Sequence, residues 1–137
     1  MREILFRGKR IDNGEWVEGH YGEYMLMSGE SIPCISIPNK EAVCGSTCYD
    51  VEASTVGQYT GQTDKNGKKI FEGDCFKTYC TGLPVYKHIV GYYPEHFAFM
   101  ARCIEMNAVH YLSDYRPSAI EVIGNIRDNP ELLEVDK

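Results

Sequence analysis

Cysteine is the residue type in this chain best suited to chemistry, and six are present: Cys34, Cys44, Cys48, Cys75, Cys80 and Cys103. Two pairs have spacings that invite a metal. Three residues separate Cys44 from Cys48 and four separate Cys75 from Cys80, and four thiolates would complete a tetrahedral zinc shell. Structural zinc sites more often use the tighter Cys-x2-Cys knuckle. Cys75 also falls in a strand pattern where a small apolar residue would serve, so it reads as a core hydrophobe. No cofactor is expected, and Cys44, Cys48, Cys75 and Cys80 stand as the metal alternative.

Acid–base and nucleophilic chemistry are less well supported. Glu18 with His20, and Glu72 with Asp74, lie two apart and would share one face of a regular strand. That spacing suits proton transfer, but it is equally the pattern of a solvated face, and no companion motif accompanies it. His20, His88, His96 and His110 are scattered, and no cysteine–histidine signature is present. A phosphate loop is excluded. Five residues, not four, separate Gly61 from Gly67, and Lys68 is followed by Lys69 instead of a hydroxyl residue. No catalytic residue is assigned.

The elements that must carry these residues read as short strands. A strand over 2–10 meets Asp12-Asn13-Gly14, a hairpin signal because Asn-Gly tolerates positive φ. The return strand starts at Glu15. Ile32–Ile37 reads as a short strand that Pro33 and Pro38 confine to a sheet edge or a loop, since proline lacks the N–H donor. Residues 39–50 read as a loop with at most a short strand. Strands follow around Val56–Gly61, Lys69–Phe71 and Cys75–Tyr79, with Asp64-Lys65-Asn66-Gly67 as a turn and a sharp bend at Gly73. Val85–Tyr93 and His96–Ile104 form a hairpin in which Phe97, Phe99, Ala101 and Cys103 face the core. Ala108–Leu112 is ambiguous. After a last strand around Ile120–Ile126, Asp128-Asn129-Pro130 opens a short helix. The sum is mainly β: one domain over 1–137, a compact β-barrel or a curled antiparallel sheet with a short C-terminal helix.

Fourteen basic against twenty acidic residues leave a net charge of −6, which disfavours a protein built to bind duplex phosphate. Basic patches remain at Arg2, Arg7, Lys9 and Arg10 and at Lys65–Lys69. No apolar run approaches the ~20 residues of a membrane span, and Ile4–Phe6 is too short for an export signal. The expectation is a cytosolic protein with reduced thiols. Ten tyrosines, each with an apolar body and a polar tip, suit a protein interface better than a base-stacking surface on an acidic chain.

The run Thr55-Val56-Gly57-Gln58-Tyr59-Thr60-Gly61-Gln62-Thr63-Asp64-Lys65-Asn66-Gly67-Lys68-Lys69-Ile70-Phe71-Glu72-Gly73-Asp74 resembles the signature of the YopX family of small phage and prophage proteins. The opening, Arg2 to Arg7 with Trp16 and Gly19, and the close, Glu121–Ile126 through Asn129–Leu133, look like that family's ends. Gln62, Phe71 and Cys75 depart from its pattern, and 28–50 and 79–118 match it poorly. The resemblance implies a phage-borne, mostly β protein with no assigned activity and no catalytic residues to carry over. In the central motif, the glycines and Asp64, Asn66 and Asp74 read first as turn formers. The functional alternative makes Asp64, Lys65, Asn66 and Lys68 an exposed recognition loop. The leading expectation is an accessory protein in a bacterial cytoplasm that binds a host or phage protein, or a second copy of itself. Nucleic-acid association is the alternative, and an unrecognised acid–base enzyme comes third.

Overall fold

The computed structural model describes residues 2–135, and alternation and turn chemistry account for the eleven strands found among them. In chain order these are β1 Phe6–Lys9, β2 Trp16–Met25, β3 Ser31–Pro38, β4 Ser46–Asp50, β5 Gly57–Thr63, β6 Lys69–Phe71, β7 Asp74–Thr78, β8 Lys87–Tyr93, β9 Ala98–Cys103, β10 Ala108–Tyr111 and β11 Ile120–Asn125. They form two antiparallel sheets, of order β4-β3-β2-β1-β5-β6 and β10-β9-β8-β7-β11. Neither closes into a barrel, because the end strands of each order have a neighbour on one side only. The barrel expectation is corrected on that point: frequent short strands with turns between them suit an open sheet equally well. Within β5 the chain passes from one compact unit, Met1–Tyr59, to another, Thr60–Lys137.

The first unit is built outward from the Asp12-Asn13-Gly14 turn. Gly14 takes φ 73° and donates its N–H to the Arg10 carbonyl at 2.9 Å, while the Asn13 side-chain oxygen accepts from Glu15 N–H at 3.0 Å. That turn fixes the β1–β2 register, in which Phe6 faces Gly19. Val17, Ile35 and Val51 form the core, with Phe6, Ile37, Tyr49 and Val56 against it.

The edge-or-loop reading of Ile32–Ile37 does not hold, since β3 is an interior strand paired on both flanks. Its prolines lie where the ladders stop. The Pro33 carbonyl accepts from Val51 N–H just past the last β3–β4 pair, Cys34 with Asp50. In an antiparallel strand the N–H and C=O of one residue point the same way, so the missing donor faces the end of that ladder. Pro38 lies past the last β2–β3 pair, His20 with Ser36. Both gaps fall where a donor is least needed.

The second unit has a core of Ile70, Phe76, Val90, Ala101, Leu112 and Ile120 on one face of the five-stranded sheet. Ala101 and Cys103 alternate inward as expected, but Phe97 does not. It sits at φ 52° as the left-handed residue closing the β8–β9 connection and is exposed. The expected C-terminal helix is a 3-10 turn, Pro130–Leu133, with no side-chain cap. The Asn129 side-chain oxygen that would cap it accepts instead from Asn125 N–H, at 3.3 Å.

Two glycines of β2 separate close approach from mere tolerance. A Cβ on Gly19 would lie 2.3 Å from the Ser36 carbonyl oxygen, whereas one on Gly22 would meet only the Cys34 sulfur at 4.0 Å. Gly19→Ala is expected to destabilise the protein by about 1–3 kcal/mol through backbone displacement. Gly22→Ala is expected to change it by less than about 0.5 kcal/mol. Urea unfolding of the two variants side by side checks this, and equal midpoints would refute it.

Candidate functional site

The loop singled out as a recognition element is tied to its own strands. Asp64 is only 4% exposed. One carboxylate oxygen accepts the N–H groups of Asn66 and Lys68, both at 2.9 Å, and the other accepts that of Val122 in β11 at 3.0 Å. Burial works to raise its pKa. The N–H groups of Val122, Lys68 and Asn66 more than offset that and hold the carboxyl below its ordinary value, with help from the Lys68 charge. Lys65 donates its N–H to the Ile120 carbonyl, pairs through Nζ with Glu121 at 2.8 Å, and rests 4.6 Å above the Tyr79 ring. Asn66 and Lys68 are exposed. Gly67 and Gly73 take positive φ in turns, whereas Gly57 and Gly61 lie within β5, Gly61 with positive φ, so the turn reading does not hold for those two. Asp74 is buried and accepts from Phe71 N–H at 2.8 Å, as the turn reading expects.

The remaining chemical candidates are dispersed. All six cysteines are free, and among the described residues no three His, Cys, Asp or Glu side chains are placed to hold a metal. Cys75 is fully buried in β7, where burial raises its thiol pKa to about 11 and keeps it protonated, while Cys44, Cys48 and Cys80 are exposed. Glu72 lies in the turn before β7 and so does not share a strand face with Asp74. Glu18 and His20 are both exposed on β2, as a solvated face would have them. The basic opening strand is engaged internally: Arg7 and Lys9 lie over the Trp16 ring, and Arg10 pairs with Asp12 and stacks on Tyr49.

Two features went unnoticed in the sequence. The first is an arm in the first unit. β1 registers only with Trp16–Gly19 of β2, and β4 only with Cys34–Pro38 of β3. Beyond those limits Glu23–Met25 pairs with Ser31–Pro33 as a two-stranded ribbon. The end of β2 and the turn after it carry Met25, Leu26 and Met27, all exposed, Met27 completely.

The second is a cavity of about 750 Å³ in the second unit. It continues the core face of the five-stranded sheet. Strand register aligns Ala108, Cys103, His88, Phe76 and Val122 in one row across all five strands. Phe76 and Val122 belong to the core, and Ala108, Cys103 and His88 line the cavity. His88 stacks on Phe76 with centroids 4.9 Å apart and meets Tyr115 edge-on at 5.2 Å. Its Nδ1 is buried without a hydrogen-bond partner. Burial lowers the pKa of its imidazole, and Glu105 opposes that shift. Tyr115 is pushed up to about 12 by burial, so its phenol stays protonated. The Cys103 thiol donates to Glu105 at 3.7 Å, not to His88.

The YopX protein family model matches residues 5–134 of the chain. Protein EF1440 from Enterococcus faecalis has a solved structure similar to this one, with a TM-score of 0.57 and 25% identity over 98% of this chain and 100% of that one. Protein yopX from Bacillus subtilis is similar over the full length of both chains, with a TM-score of 0.58 and 16% identity. No curated protein matches the sequence.

The Asp64 geometry sets a pH dependence. A carboxyl whose folded pKa is depressed adds stability above its unfolded pKa of ~3.9, and that stability is lost as pH falls through the folded value. In Asp64→Ala, the Asn66, Lys68 and Val122 amides all lose the acceptor that joins the turn to β11. The variant is expected to lose about 2–3 kcal/mol at pH 7. Urea unfolding should show the gap to the parent protein shrinking at pH 3, and a gap of constant size would refute the assignment.

Proposed function

The chain belongs to the YopX protein family, and from that premise we propose that it is an accessory protein of phage origin that acts by binding another protein through the β2–β3 arm. The arm carries the reading. A two-stranded ribbon is marginally stable by itself, and this one presents three consecutive apolar side chains, Met25, Leu26 and Met27, to solvent. Such a tip gains by covering, and methionine adapts to the shape of a partner pocket. Tyr21 and Tyr24 lie in the same outer half of β2, with hydroxyls bonded to Glu23 and Asp50, so their rings are oriented before any partner arrives. The partner class is a host or phage protein with an apolar recess. A second copy of this chain would instead meet it by strand pairing along β4, an end strand of its sheet. No helix among the described residues is long and apolar enough to cross a membrane. Six free thiols suit a reducing bacterial cytoplasm.

Both Met25→Asp and Met27→Asp change exposed positions, so the double variant should keep the parent's thermal midpoint. In a nuclease-treated pull-down from infected cells, it should lose a protein that the parent retains. Equal recovery of that protein by both would overturn the proposal. A partner lost on nuclease treatment of the parent would point to nucleic acid, and a concentration-dependent dimer in sedimentation would point to self-assembly.

A further inference from the structure

Two of the six thiols lie together in the first unit. Cys34 belongs to β3 and Cys48 to β4, and the register sets Cys34 opposite Asp50 and Ser36 opposite Cys48. Residues two apart on a strand share a face, so Cys34 and Cys48 are diagonal neighbours on one face of the β3–β4 ladder. That face is turned away from the core, since Ile35, Ile37 and Tyr49 take the other. Cys34 is buried and Cys48 exposed, so the pair has one shielded and one open member. Burial first, then the neighbouring Cys48 thiol and Asp50 carboxylate, push the Cys34 thiol up.

The surroundings leave room at the pair and set its donor count. Gly22 of β2 stands opposite Cys34 and puts no side chain over the thiol; a Cβ there would meet only the Cys34 sulfur, at 4.0 Å. Tyr24, on the same face, reaches across β3, and its hydroxyl lies 2.9 and 3.0 Å from the two Asp50 carboxylate oxygens. Asp50 is thereby engaged, and its charge suits a cation beside the pair. The spacing discriminates among the uses of two thiols. Diagonal neighbours have Cα atoms ~7–8 Å apart, whereas a disulfide needs them within ~7 Å, so the ladder would have to shift to close one. An ion between the sulfurs lengthens the bridge and fits the wider spacing. Zinc asks for four donors, and among the described residues no third joins the pair. Thiolates select soft ions, and copper(I) is one that two of them satisfy.

We propose that Cys34 and Cys48 form a two-coordinate site for a soft monovalent ion, copper(I), bridging β3 and β4. On binding, each thiol releases its proton to solvent and each sulfur donates an electron pair to the ion. No electron is transferred, and the copper stays copper(I). The site does not rest on the β2–β3 arm having a protein partner.

The test titrates copper(I), under anaerobic conditions, into the full reduced chain against a chromophoric copper(I) chelator. The parent is expected to hold one ion against the chelator and to gain thiolate-to-copper absorption in the ultraviolet. Cys34→Ser and Cys48→Ser should each lose that ion at a chelator concentration the parent withstands. Cys44→Ser and Cys80→Ser, which change the other two exposed thiols, should match the parent. Cys48 is exposed, so Cys48→Ser decides the matter if Cys34→Ser does not fold. Retention of the ion by Cys48→Ser, or its loss from Cys44→Ser, would overturn the proposal. A Cys34–Cys48 disulfide found by peptide mapping after treatment with diamide would overturn the choice of an ion over a disulfide.

Discussion

The Asp64 carboxylate is all but closed to water, and the central motif is organised around the three backbone N–H groups that point at it. Two of them belong to its own turn and close it locally. The third, from Val122, belongs to β11 and makes the turn a fastening between distant parts of the chain. The effect is cooperative in the ordinary electrostatic sense: an ionised acceptor binds each N–H more strongly than a neutral one, and each N–H helps keep the acceptor ionised. With Asp64 so engaged, Lys65 falls beside Glu121 and over Tyr79. A short motif thereby shapes one wall of a cavity to which its turn residues contribute no lining.

The cross-strand row of the second unit extends that constraint. Val122 ends the row that runs through Phe76 and His88 to Cys103 and Ala108. Along it the character changes from closely packed to open. Phe76 is enclosed by core neighbours and by the face of His88, and beyond His88 the side chains shrink to Cys103 and Ala108. Small residues on β9 and β10 leave volume that the large residues on β7 and β8 do not reach. The cavity follows from side-chain size along one row, with no irregularity of the backbone required.

Local chemistry was legible in the sequence, and register was not. The Asn13-Gly14 and Asn66-Gly67 turns, the bend at Gly73 and the turn-forming role of Asp74 all follow from residues within a few positions of one another, and the structure has them. The prolines of β3 misled because the absence of a donor was readable, while the place where each neighbouring ladder ends was not. Phe97 misled because alternation was continued one residue too far, into a turn that needs left-handed backbone. His88 and Cys103 were each visible but unremarkable. Only the β8–β9 register sets them opposite each other, and that register is set by a turn whose left-handed Phe97 the alternation did not reveal.

The protonation states of the second unit follow from the burial of its rings. Tyr115 holds its proton to about pH 12, and burial biases His88 toward the neutral imidazole. The Cys103 thiol is directed to Glu105. Burial thus favours the uncharged form of both the His88 imidazole and the Tyr115 phenol.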